Sequence, residues 1–287
     1  MTSTPANPDA PPPAEPVASA GTEPQPITAD AIPRGADALS PFAQEFVAPR
    51  LGIVHFLIWM AVTAVLLKLK LAYLATLPSS IPERWNLVLR VQILASEPLC
   101  AAGFVGLGVL ALARRHGAAG RLQPGHWIML VTATISLVWY AWWCMSFLAS
   151  NQAGVSPSYG EFLAMWLPYV TTPLFGAVIY SIATFRATGG LCWKWSLRML
   201  AVSQTVLFTA SLLTLVQAVF LTGLFRGYGI AYCWLFSEVE GAIVFVAAAV
   251  DLARRARRDW LHWLGIVLVE GGAVLGIAMQ ICTWLFP

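Results

Sequence analysis

An all-α membrane protein with seven transmembrane helices is the fold class this sequence predicts, and three observations predict it. The chain is 58% hydrophobic and 11% charged, with mean hydropathy +0.70, whereas soluble domains run near a quarter charged. Its apolar runs are continuous and do not alternate, which excludes a β-barrel. Seven of the runs reach the roughly 20 residues that a spanning helix needs. Without water in the hydrocarbon the backbone must satisfy itself, and helices do so within one segment.

Residues 1–45 read as a disordered, acidic, Pro/Ala-rich tail, and 46–287 as the seven-helix domain. The first 40 residues hold nine of the 19 prolines and no aromatic residue. Their acids are Asp9, Glu15, Glu23, Asp30 and Asp37, against one base, Arg34. Such a segment buries too little apolar surface to fold. It also lacks the basic and apolar regions of a cleaved signal peptide.

The spans lie near 52–76, 90–113, 127–149, 162–184, 196–222, 230–252 and 263–285. Turn residues separate them, among them Pro78-Ser-Ser-Ile-Pro82, Gln123-Pro-Gly125 and Gly189-Gly190. Twelve bases fall on the N-terminal side and in every second loop, including Arg50, Arg114, Arg115, Arg121, Arg254, Arg255, Arg257 and Arg258. Five, Lys68, Lys70, Arg84, Arg90 and Arg226, fall on the other side. The positive-inside rule then predicts an inner-membrane protein with a cytoplasmic N-terminus and an outside C-terminus. Tryptophans such as Trp127, Trp193, Trp260 and Trp263 mark the inner boundary, and Trp139, Trp142 and Trp143 the outer one. The basic excess is topological and gives no sign of nucleic-acid binding.

A pattern occurs twice. Ser96-Glu97, Leu112-Ala-Arg-Arg115 and His126-Trp127 are followed later by Ser237-Glu238, Leu252-Ala-Arg-Arg255 and His262-Trp263. An even number of spans separates the copies, which suggests a 3+1+3 parallel repeat. In span count this resembles the topology of SWEET-type sugar carriers and of microbial rhodopsins. The seventh span carries no lysine, so a retinal Schiff base has no support.

Charge inside a membrane costs from about 2.5 kcal/mol upward and calls for a partner or a task. The candidate residues for a substrate or proton site are Lys68, Glu97, Glu238, Glu240 and Glu270. At 1.5 Å per residue, Lys68, Glu97, Glu238 and Glu240 fall in one layer, roughly 20–24 Å from the inner boundary. Glu270 falls near 12 Å, level with Gln204, by the same rough count. The expectation is that Lys68 pairs with Glu97 or Glu238. Glu238 and Glu240 lie some 200° apart around a helix, so they face different partners. Pro98 beside Glu97 is expected to kink its helix. Gly272-x-x-x-Gly276 and Ala102-x-x-x-Gly106 are expected to permit close helix approach.

The best functional reading is a small-molecule or proton-coupled carrier with an outward-facing polar site. One alternative is a non-catalytic membrane scaffold or complex subunit whose tail binds a protein partner. Another is a haem-binding redox protein using His126 and His262 near the inner face. No Walker, Gly-x-Ser-x-Gly or H-E-x-x-H motif is present, so the reading leans away from an enzyme. Cys100, Cys144, Cys192, Cys233 and Cys282 show no C-x-x-C spacing, and neither a metal nor a cofactor is predicted.

Overall fold

The computed structural model describes residue 46 and residues 48–75, 83–150, 159–220 and 228–285. The predicted tail, residues 1–45, lies outside the described residues. The described residues all belong to one compact unit, residues 39–287. The described residues form seven helices: α1 Ile53–Leu74, α2 Glu83–Arg115, α3 Pro124–Ser150, α4 Tyr159–Arg186, α5 Leu191–Phe220, α6 Tyr228–Ala253 and α7 Trp260–Leu285. Six of them, α1 to α5 and α7, are long and apolar enough to cross a membrane. In α6 the side chains are described only from Glu238 onward. The chain is a multi-pass, all-α protein of membrane character.

The helix ends follow from local chemistry. Pro124 opens α3 at the first helical position, where a missing N–H costs nothing. Asp259 precedes α7, and its Oδ1 accepts the His262 N–H at 2.9 Å, an N-cap. At the other ends, α2 and α6 stop in the same way. Gly117 (φ 84°) and Arg255 (φ 50°) adopt the left-handed conformation. Just beyond, Ala118 N–H donates to Ala113 O at 3.0 Å and Ala256 N–H to Asp251 O at 2.9 Å. These are two Schellman closures. They place Arg255 where Gly117 stands, so the two arginine pairs of the sequence pattern fall out of step.

α3 and α7 pack against each other at the centre. α2 contacts both of them, α4 flanks α3, α6 flanks α7, and α5 joins α4 to α6. α1 packs chiefly on α2. One buried cluster, with Tyr180, Trp193, Leu197, Leu200 and Val244, fills the space among α3 to α7. A second joins Phe46 to Val109, Leu110, Met129, Leu261 and Leu268 of α2, α3 and α7.

The α3–α7 crossing is backbone on backbone. A Cβ at Gly125 would overlap the His262 carbonyl, and one at Gly265 would overlap the Gly125 carbonyl. Only glycine fits either position. Gly106 of the predicted α2 motif does sit at an interface, against Met129 and Leu264. Gly272 does not: a Cβ there would meet nothing within 4 Å, and it is the adjacent Gly271 that abuts Leu99. Beside Pro98, the Trp59 indole N–H donates to the Pro98 carbonyl at 2.8 Å and ties α1 to α2.

Candidate functional site

The membrane-depth acids are dispersed over separate helix interfaces. Glu97 of α2 is 3% exposed. Lys70 of α1 is a cation in its neighbourhood, and the Lys70 ammonium lies 3.9 Å from the centre of the Trp143 ring. Lys68, expected as the partner of Glu97, is exposed. The reason is azimuth: two residues along a helix turn a side chain by some 200°. Glu97 Oε2 is shielded and accepts no hydrogen bond from the described residues.

Glu238 and Glu240 face different helices, as their spacing requires. Glu238 Oε1 accepts from Gln280 Nε2 of α7 at 2.6 Å. Glu240 Oε1 accepts from Ser203 Oγ at 3.0 Å and Gln204 Nε2 at 2.6 Å, both of α5. Gln204 is wedged against Gly176 of α4, where a Cβ would come within 2.6 Å of its Oε1. Glu270 lies beside Gly241 of α6, with its Oε1 shielded and without a hydrogen-bond partner among the described residues.

A denser polar assembly lies at the arginine-rich end, where residues 46–48, the start of α3, the end of α6 and the starts of α5 and α7 come together. His126 Nδ1 accepts the Gln123 N–H at 3.2 Å, so the neutral ring carries its proton on Nε2. That N–H donates to Asp259 Oδ1 at 2.8 Å. Asp259 Oδ2 accepts the Ala48 N–H at 2.8 Å. The Gln123 side chain returns across the gap and accepts the Asp259 N–H at 3.3 Å. His262 Nδ1 accepts the Gly125 N–H at 3.0 Å. Each histidine occupies the third position of its helix, and each helix start is capped partly by the other.

The remaining segments join through aspartate and aromatic contacts. Asp251 Oδ2, at the end of α6, accepts Trp193 Nε1 of α5 at 2.7 Å and Arg258 Nε at 2.8 Å. The His262 ring stands edge-on to Trp193 and Trp263, each centroid 5.4 Å away. Its Nε2 is 3.7 Å from Asp251 Oδ2, beyond hydrogen-bond length. Phe46 is buried against His126 with ring centroids 5.4 Å apart, and its N–H donates to Arg121 O at 2.9 Å. Thr188 N–H, in the α4–α5 turn, donates to Leu122 O at 2.9 Å.

This clasp sets the electrostatics of Asp259. Burial by itself pushes the carboxyl up. The hydrogen bond from His126, with the N–H groups of His262 and Ala48, outweighs burial and holds it below the usual aspartate range. Both ring nitrogens of His126 and Nδ1 of His262 are engaged by protein, so the two histidines that the haem alternative would use connect α3 and α7 in this structure. Among the described residues no cluster of three or more His, Cys, Asp or Glu side chains could hold a metal.

Sequence reasoning placed His126 and His262 at the membrane boundary, yet both are fully buried. It passed over Asp251 and Asp259 altogether. A signal for Asp259 was present: an aspartate directly before an apolar run, three residues ahead of a polar side chain, is an N-cap signature. Asp251 carries no such local mark, because Trp193 and Arg258 reach it from elsewhere in the fold. Compared with known proteins, the chain matches no family model, no curated protein and no solved structure.

Proposed function

We propose that the chain is a seven-span proton-coupled carrier, with its arginine-rich end and N-terminus in the cytoplasm and its C-terminus outside. The observation that carries this reading is the state of the acids on the α6–α7 side. Glu240 is held by neutral donors from Ser203 and Gln204. Glu270, on the neighbouring helix, keeps a shielded oxygen with no hydrogen-bond partner among the described residues. An acid at membrane depth that is held without an ion pair is a group suited to gaining and losing a proton in the course of transport. A shielded, unsatisfied carboxylate oxygen is also the kind of atom that water or a polar substrate reaches. Glu240 and Glu270 thereby replace the Lys68 layer as the centre of the proposed site, with Glu97 and Lys70 apart from it. A 3+1+3 parallel repeat belongs to the same proposal. It is supported by the matching Schellman closures of α2 and α6 and by the histidine at the third position of α3 and α7.

The test is proton flux into liposomes that hold the purified chain and a pH-sensitive dye. The expected result is a flux above that of empty liposomes which Glu240→Gln reduces at least tenfold, with Glu270→Gln intermediate. Wild-type liposomes that conduct no better than empty ones would overturn the reading. A second reading, a membrane scaffold, is favoured by α1, which packs chiefly on α2 and exposes many large apolar side chains, Phe56, Leu57 and Val65 among them. For that reading, deletion of residues 1–40 should abolish co-purification of a protein partner while liposome flux stays at background.

A further inference from the structure

Between α1 and α2 lies a groove of about 570 Å³. On the α1 side it is lined by Val54, Ile58 and Val62, spaced four apart on one helical face. Val105, Gly108 and Leu112 line it from α2. At Gly108 an added Cβ would meet no atom within 4 Å, so the groove is open there. It runs from Pro49 and His116 at the arginine-rich end to Val62 and Phe104. Counted along the helices this is roughly 18–20 Å. One leaflet is about half of the ~30 Å hydrocarbon core, so the groove follows the depth of a single leaflet and slightly more.

The mouth differs in chemistry from the walls. Among the described residues His55 and His116 line it, and no carboxylate does. His55 Nδ1 accepts the Gly52 N–H at 3.0 Å, which leaves the neutral ring its Nε2–H to donate. Arg50 and Arg115 are exposed and adjoin the lining residues Pro49 and His116 in the chain. Arg114 is already committed, donating to Ala118 O at 3.2 Å and Gly120 O at 2.7 Å. Arg115, exposed and next to His116 in the chain, is the member of the pair with no such commitment among the described contacts. An apolar channel of leaflet depth, closed at its polar end by bases without acids, matches an anionic lipid in both parts.

We propose that this groove binds one anionic glycerophospholipid from the leaflet at the arginine-rich end. An acyl chain lies between α1 and α2, and the phosphate is held by His55, His116 and Arg115. The site is separate from the acids of the proposed carrier and does not depend on that reading. The test uses the full chain, equilibrated with vesicles of equal phosphatidylglycerol and phosphatidylcholine and washed in mild detergent. Native mass spectrometry then counts the retained lipids. The expected result is one retained phosphatidylglycerol, preferred roughly tenfold over phosphatidylcholine. Joint replacement Arg115→Gln and His116→Gln should bring the two lipids close to equal retention. Gly108→Phe should remove the retained lipid with the size-exclusion profile unchanged. If Gly108→Phe aggregates, Ile58→Trp fills the groove from the α1 side with the same readout. Equal retention of both lipids by the wild type, or undiminished phosphatidylglycerol in a folded filled-groove variant, overturns the proposal.

Discussion

At the arginine-rich end, the Asp259 carboxylate collects donors from His126, His262 and Ala48. In the membrane middle, Glu97 and Glu270 each keep a shielded oxygen that no described donor reaches. The two regions differ in backbone supply. Helix starts and loops expose N–H groups that have no partner within their own helix, and the clasp spends its side chains on those. Mid-helix backbone is already paired, so an acid there must find a side chain, and few are polar. A network closed by backbone donors fixes one geometry. A group left with an open oxygen can change its protonation or its partner.

Breaking the clasp at its backbone contact should have the largest effect. Gly125→Ala places a methyl in the His262 carbonyl, and neither helix can yield without losing the crossing. The expected cost is at or beyond the upper end of the ~1–3 kcal/mol typical of overpacking. It should appear as a loss of monodisperse protein and a fall in thermal midpoint. The same change at Gly272, where a Cβ meets nothing within 4 Å, should leave the midpoint within about 0.5 kcal/mol of wild type.

Next in size is Asp259→Ala, which removes the α7 cap and strips His126 Nε2 of its acceptor while the ring stays buried. A loss of about 2–4 kcal/mol combines the usual cap and orphaned-donor costs. The pH dependence has a definite sign. The folded carboxyl lies below its unfolded value of about 3.9. Its contribution is therefore complete above that value and is lost as pH falls through the folded one. Midpoints followed down to about pH 3 should drop more steeply for wild type than for Asp259→Asn. Parallel curves would mean that Asp259 is not the group responsible.

The contrast between the two regions also explains what could be read in advance. Seven helices were legible because continuous apolar runs encode them directly. Residue count along a helix gives an expected height and nothing about direction around the axis. Azimuth was not legible, and so Lys68 was expected where Lys70 stands. Counting along a helix cannot say which face meets α2. The clasp was half legible: His126 and His262 were noticed, but interfacial position and burial at a helix crossing look alike in one sequence. What decided burial was the pair Gly125 and Gly265, whose lack of a side chain carries meaning only once α3 and α7 are known to cross.

In the membrane middle a smaller change should separate support from chemistry. Gly176→Ala brings a methyl against the Gln204 side chain, whose amide holds Glu240. The amide can swing aside, so the stability cost should stay near 1 kcal/mol. If Glu240 handles the proton, liposome flux and its pH profile should shift more than the thermal midpoint does. A variant whose midpoint falls with no change in flux per folded molecule would instead mark Gln204 and Glu240 as a helix fastener.

The smallest predicted effect compares the two Schellman closures with each other. Gly117 and Arg255 hold equivalent positions with φ of 84° and 50°, but only the glycine adopts that conformation without a Cβ penalty. A non-glycine residue in the left-handed region costs roughly 1–2 kcal/mol, and the freedom that glycine gains in the unfolded chain returns part of it. Arg255→Gly should therefore raise the midpoint by an amount worth about 0.5–1 kcal/mol. The opposite exchange, Gly117→Arg, should lower it by more, because φ there lies further from the left-handed minimum. If Arg255→Gly instead destabilises, the arginine side chain contributes more at the end of α6 than its backbone strain costs. The two closures would then be alike in geometry but not in what holds them.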